Sequence, residues 1–405
     1  MNTRRACLSI AIMLGPLCAV ACTSEPDGDL MQNVIAGQAG GVGGTGGVGG
    51  TPGGAGGANA GTGGTAGEPA LAAGSGGAAG AMGGSGGVGG AGASGGTGGM
   101  AGTGGMGGTG GVAGMMPAVD TMPTLYWLDI NANRVMRSQD FADGEVLVSR
   151  TGTAPDGVAI DVEGGKVYWT NMGSLLGLGG GSVQRANLDG SDVETIIPSG
   201  VAQTPKQMQL DLVNRNLYFC DREGAKVWRA TMDGENPEAI VSGHGFQELV
   251  GVALDVAGGK FYFSDRIGGK ILRANIAMPA GENGGDRTDI EELFVFSGSA
   301  TPIDLDVDLV SHRLYWTDRT LGTVHRAGID IPAGQTAENR TDAETIVEDL
   351  VETIGISLDI ENDKMYFSEL GGQVSEAALD GSGLRKDILT SGSATGVAIA
   401  HIPKP

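Results

Sequence analysis

All six tyrosines of the chain stand in one recurring context, and that repeat narrows the possible folds more than any other feature. The segments are Leu125-Tyr126-Trp127-Leu128-Asp129, Val167-Tyr168-Trp169-Thr170-Asn171, Leu217-Tyr218-Phe219-Cys220-Asp221, Phe261-Tyr262-Phe263-Ser264-Asp265, Leu314-Tyr315-Trp316-Thr317-Asp318 and Met365-Tyr366-Phe367-Ser368-Glu369. Successive tyrosines are 42, 50, 44, 53 and 51 residues apart. Two further motifs keep the same register. After the tyrosine come Met136-Arg137, Gln184-Arg185, Trp228-Arg229, Leu272-Arg273 and His325-Arg326, with Ser375-Glu376 as the odd member. Seven residues before it stand Asp161, Asp211, Asp255, Asp308 and Asp359 in repeats two to six.

Each repeat holds four short candidate strands, in the second repeat 157–161, 166–170, 182–186 and 193–197, separated by Gly, Asn and Asp turn signals. No amphipathic helical stretch of useful length interrupts them. A four-stranded unit of this length, repeated six times, predicts an all-β fold, a six-bladed β-propeller. The first repeat begins at its second strand, Leu125, and the chain ends on the strand it lacks, Gly396-Val397-Ala398-Ile399-Ala400. The C-terminal strand is therefore expected to complete the first blade and remove the two open edges.

With six Tyr-Trp-Thr-Asp-like copies on the page, the chain resembles the class B repeats of the low-density lipoprotein receptor, which form six-bladed propellers. The resemblance covers nearly all the foldable chain. It implies a protein-binding scaffold outside the cell. It does not carry over endocytosis or lipoprotein uptake, because the cysteine-rich modules and membrane helix of those receptors are not seen here.

Composition places the rest. Of 77 glycines in 405 residues, 40 fall between Met31 and Asp120, and every aromatic residue lies after 118. A stretch built from Gly, Ala, Thr and Ser cannot bury enough apolar surface to offset its ordering entropy. Residues 22–118 are thus expected to be a disordered linker, and 119–405 the propeller. The tract is a spacer with a reach of roughly 50 Å as a flexible coil. Its chance match to a dinucleotide fingerprint, Gly41-Val42-Gly43-Gly44-Thr45-Gly46, follows no strand and precedes no helix.

Residues 1–21 have a basic start and an apolar run, the pattern of an export signal. Ala19-Val20-Ala21-Cys22 resembles the lipobox of bacterial lipoproteins, in which the cysteine sulfur carries a diacylglycerol. That implies lipid attachment at Cys22 and a lipid-anchored protein of the bacterial cell envelope, at the outer membrane because Thr23 rather than Asp follows. Only Cys220 remains in the folded part, so no internal disulfide forms. The first 118 residues hold two basic and four acidic side chains, leaving 23 and 43 for the propeller. Such an acidic domain repels phosphate backbones, which excludes nucleic acid as a partner.

Most polar residues of the repeat read as architecture. The two adjacent rings of each motif alternate to opposite faces of a strand, where each packs against a neighbouring blade. The recurring aspartates and arginines serve turns and ion pairs, and Cys220, in the threonine place, is a buried small hydrophobe. His244, His312, His325 and His401 have no ligand spacing, and no catalytic residue is assigned. Asymmetric features are more informative. The inner strands carry small residues except at Gln207 and Gln209 in one blade and Asp304 and Asp306 in another, and Asp304, Asp306 and Asp308 alternate onto one side. They line the channel as hydrated polar groups or hold a calcium ion there. No other cofactor is expected.

Repeat two carries an insertion, Met172 to Gly181, in its second-to-third-strand loop. Met172, Leu175, Leu176 and Leu178 are its apolar side chains and the expected contacts for an extracellular or surface protein. The reading is a surface-tethered binding or adhesion module. The alternative is a metal-dependent, lactonase-like hydrolase on the same ring.

Overall fold

The computed structural model describes residues 120–404 apart from 140, 142, 175–178 and 391. Six antiparallel sheets of four strands each form the blades. In blade one Thr121–Asp129, Arg134–Ser138 and Glu145–Val148 are joined by the last strand of the chain, Ala394–Pro403, as the innermost member. The other inner strands are Pro155–Asp161, Pro205–Asp211, Leu249–Asp255, Pro302–Asp308 and Thr353–Asp359. Each touches the next, and Ala394–Pro403 touches Pro155–Asp161, so the ring is closed. Closure runs further than the sequence implied. The first strand starts at Thr121 rather than Leu125, because the closing strand continues to Pro403 and pairs with it.

The core is divided among the seams between blades. Tyr126 of blade one shares a cluster with Trp169 of blade two, Tyr168 with Phe219, and Tyr218 with Phe261 and Phe263. Tyr262 meets Trp316, Tyr315 meets Phe367, and Tyr366 meets Trp127 to complete the circle. All of these rings are buried. Period-two alternation sends the tyrosine to one face and its neighbour to the other, so one dipeptide supplies both seams of a blade. Each buried ring is worth about 2–3 kcal/mol.

The polar residues of the repeat join these seams. Thr170 Oγ1 accepts from Gly157 N–H at 2.8 Å and donates to Lys206 O of the next blade at 2.7 Å. Ser264 and Thr317 repeat the pattern to Ile303 O and Ile354 O. Cys220 substitutes a thiol, 3.2 Å from Gly251 O. Asp161, Asp211 and Asp255 cap the turn after the inner strand, accepting from the N–H groups of Gly164, Asn214 and Gly258. Asp221 and Asp265 do the same after the second strand, from Gly224 and Gly268, and also hold the loop that enters their blade. Inner strands approach so closely that a Cβ on Gly251 would lie 2.0 Å from Ile303 O, which explains the small residues there. The longer loops after the third strands of blades four and five brace their neighbours, with Arg287 and Arg340 donating to Ile240 O and Leu293 O. One 3-10 turn, Ile360–Asn362, is the only helical element among the described residues, and no helix is long and apolar enough to cross a membrane.

Candidate functional site

The six inner strands surround a channel whose two ends differ. At the end carrying the second-to-third-strand turns, the residue after each motif forms a ring: Ile130, Met172, Arg222, Arg266, Arg319 and Leu370. Each backbone N–H in this ring donates to the loop entering its own blade, at 2.9–3.2 Å, from Ile130 to Ser393 O round to Leu370 to Glu352 O. Register alone therefore puts three apolar side chains on one half of the mouth and three arginines on the other.

Beneath this ring the channel is plugged. Ile130, Ala154 and Met172 cluster against Leu370, which also touches Val250, Ile303 and Ile354. Lys206 Nζ is buried in the plug, 2.8 Å from Asp156 Oδ1 and 3.3 Å from Met172 Sδ. Gln207 Nε2 donates to the other Asp156 oxygen at 3.3 Å. Burial pulls the Lys206 ammonium below its ordinary range, and the Asp156 charge opposes that pull. Around the mouth Arg266 pairs with Glu248 and Arg319 with Glu352, at 2.6 and 2.9 Å.

The other part of the channel is a cavity of about 210 Å³ touching Gln207, Gln209, Asp304, Asp306 and Ser357. The expected acidic trio does not converge in it. Asp304 accepts from Leu305 N–H and, across the seam, from Ile356 N–H at 3.0 Å. Asp306 accepts from Val307 N–H and from Leu358 N–H at 2.9 Å. Asp308 is not among the walls of this cavity and caps its own turn at Val310 and Ser311. The first two carboxylates thus fasten blade five to blade six. Burial pushes Asp304 well above the usual carboxylate range and Asp306 up to about 6. Among the described residues no three His, Cys, Asp or Glu side chains gather as a metal site.

The insertion in blade two also differs from expectation. Met172 is 1 % exposed and belongs to the plug, so it is not available as a surface contact. Gly173, with φ +79°, donates to Thr153 O, and a Cβ there would clash with Gly180. Leu175, Leu176, Leu178 and the lipid-attachment candidate Cys22 lie outside the described residues. Sequence reading missed Lys206, Asp156 and the arginines. The available signal was the residue after each motif, which changes from Ile and Met to three arginines and then Leu.

No family model matches the sequence. Among curated proteins, the low-density lipoprotein receptor-related protein 1 of Pyricularia oryzae is 36% identical over 282 residues, 64% of this chain and 89% of that protein. The chain belongs to the low-density lipoprotein receptor class B repeat family. A second relative of this propeller, the 3-hydroxyacyl-CoA dehydrogenase-like protein LAM1 of Cochliobolus heterostrophus, is 32% identical over 315 residues, 70% of this chain and 66% of that protein. Among solved structures, a chain of the nidogen–laminin complex superposes with a TM-score of 0.55 at 19% identity, covering 69% of this chain and 98% of that one. That likeness shows a shared fold.

Proposed function

We propose that this class B repeat propeller is a non-enzymatic protein-binding module, held at a bacterial cell surface by lipid on Cys22 and kept off it by the glycine-rich spacer. The observation carrying this reading is an amphipathic patch on one face of the ring. Exposed Ile267 follows Arg266, and exposed Leu321 lies two residues after Arg319. Exposed Val351 precedes Glu352, the partner of Arg319. Apolar side chains set among arginines are the usual material of protein interfaces. The first described strand of the ring starts at Thr121, at the first-to-second-strand side, the end of the ring opposite this face. The carboxylates of the channel are engaged by backbone N–H groups or by Lys206, which favours architecture over hydrolysis. The relative from Pyricularia oryzae is named as receptor-related, in keeping with binding.

The test is capture of a surface protein by the full-length chain from its native envelope. Replacing Ile267, Leu321 and Val351 together with Ser should abolish capture while the melting temperature holds. Undiminished capture by this variant refutes the assignment of the face.

A further inference from the structure

Among the described residues, one seam of the ring lacks the cross-seam arginine that the others contain. In five blades the third-strand arginine crosses the seam to a backbone carbonyl of the next blade: Arg137 to Leu188 O, Arg185 to Met232 O, Arg229 to Ile276 O, Arg273 to Ile329 O and Arg326 to Leu379 O, at 2.9–3.3 Å. Each also pairs with a fourth-strand glutamate of its own blade. Burial raises the pKa of the tyrosine beside each arginine, and the guanidinium opposes that rise. In blade six the pair is inverted. Glu376 stands where arginine does elsewhere, opposite Lys386, and its carboxylate is 3.0 Å from Lys364 and 3.7 Å from Lys386. Among the described residues Tyr366 therefore has no guanidinium at its side; after burial, the Glu376 and Asp359 charges push its pKa still higher.

The same seam is open. A cleft of about 510 Å³ lies between blades six and one, and Phe141, Tyr366, Asp359, Glu361, Lys364 and His401 are among its walls. Half-buried Phe141 stacks on the buried Tyr366 ring with centroids 5.6 Å apart, so Phe141 is the accessible half of the cleft's aromatic wall. Asp359 is hydrogen-bonded to Asn362 and His401, and Glu361 is exposed. An aromatic wall beside carboxylates suits a planar guanidinium, which stacks on rings and offers forked donors, better than a compact, strongly hydrated ammonium.

We propose that this cleft receives an arginine side chain from the partner protein, in the seam where the fold omits its own. This rests on the protein-binding reading above but concerns a separate site. The probe is N-acetyl-L-arginine amide, titrated into the full-length chain by ligand-observed NMR, with the neutral isostere N-acetyl-L-citrulline amide as control. Binding of the arginine compound in the millimolar range is expected, with citrulline at least about tenfold weaker. Glu376→Arg with Lys386→Glu restores the repeated pair within the fold and should weaken arginine binding at least about tenfold. Should that variant fail to fold by circular dichroism, Phe141→Ala, which removes half of the aromatic wall, should show the same loss. No binding by the wild-type chain, citrulline binding equal to arginine, or unchanged binding by the folded variants overturns the proposal. Surface capture that survives such a result leaves the protein-binding reading intact and removes only the arginine.

Discussion

Lys206 Nζ lies 2.8 Å from Asp156 Oδ1, and this buried pair joins blade three to blade two in the floor of the channel mouth. Removing one partner strands the other charge away from water. Lys206→Met should therefore cost about 3–5 kcal/mol, whereas Lys206→Met with Asp156→Leu should recover most of the loss. Urea midpoints of the two variants decide it. A single variant as stable as the wild type contradicts the structural role given to the pair.

Closure of the ring by Ala394–Pro403 replaces the covalent turn that the other blades have between their first two strands. Deleting residues 394–405 uncovers Thr121–Asp129 along its length, together with the Leu125 and Trp127 cluster. The expected loss is more than about 4 kcal/mol, beyond that of an ordinary substitution. Equal melting of truncated and full chains would argue that the last strand is dispensable.

The Asp306 carboxyl titrates at about 6 in the folded chain, above its ordinary value of 3.8. A folded pKa above the unfolded one means that this group favours folding below the unfolded value. The contribution is lost as pH rises through about 6. The stability difference between the wild type and Asp306→Asn should therefore move against the wild type between pH values of about 4 and 7. Asp304 is raised in the same sense, mainly by burial, which is common to both chains, and in smaller part by the Asp306 charge, which the variant lacks. Paired thermal melts across this range provide the check, and a difference independent of pH contradicts the assignment.

Without a gathered ligand set in the channel, mild chelation should leave the melting temperature unchanged and release no stoichiometric divalent ion. Metal analysis of the purified chain before and after chelation tests this. One tightly held ion per chain, lost together with stability or with a hydrolytic activity, would favour the lactonase-like alternative over the binding reading.

Cys22→Ser should release the protein from the membrane fraction. If the variant remains membrane-bound in unchanged amounts, lipid attachment at that cysteine is the wrong reading.

The repeat made the ring legible because one short motif serves two seams. The Tyr-Trp and Tyr-Phe dipeptides, the turn-capping aspartates and the arginines recur wherever the same contact recurs. The inverted pair at Glu376 was visible too, as a break in register. What the sequence concealed depends on how inner strands face one another across the ring. Asp304 and Asp306 share a face, and that face meets the backbone of blade six. Met172 looked like part of a glycine-rich loop, but its position directly after Asn171 commits it to the mouth ring. Lys206 and Asp156 are 50 residues apart, and nothing local marks them as partners.

The most direct test of the binding account is site-specific photo-crosslinking on the native surface. A photoreactive residue replaces Leu321 on the arginine-bearing face in one chain and Val213 in a first-to-second-strand turn in another, both positions being exposed. The account predicts one discrete crosslinked protein from position 321 and none from position 213. Crosslinking from 213 alone, or from neither position, would contradict it.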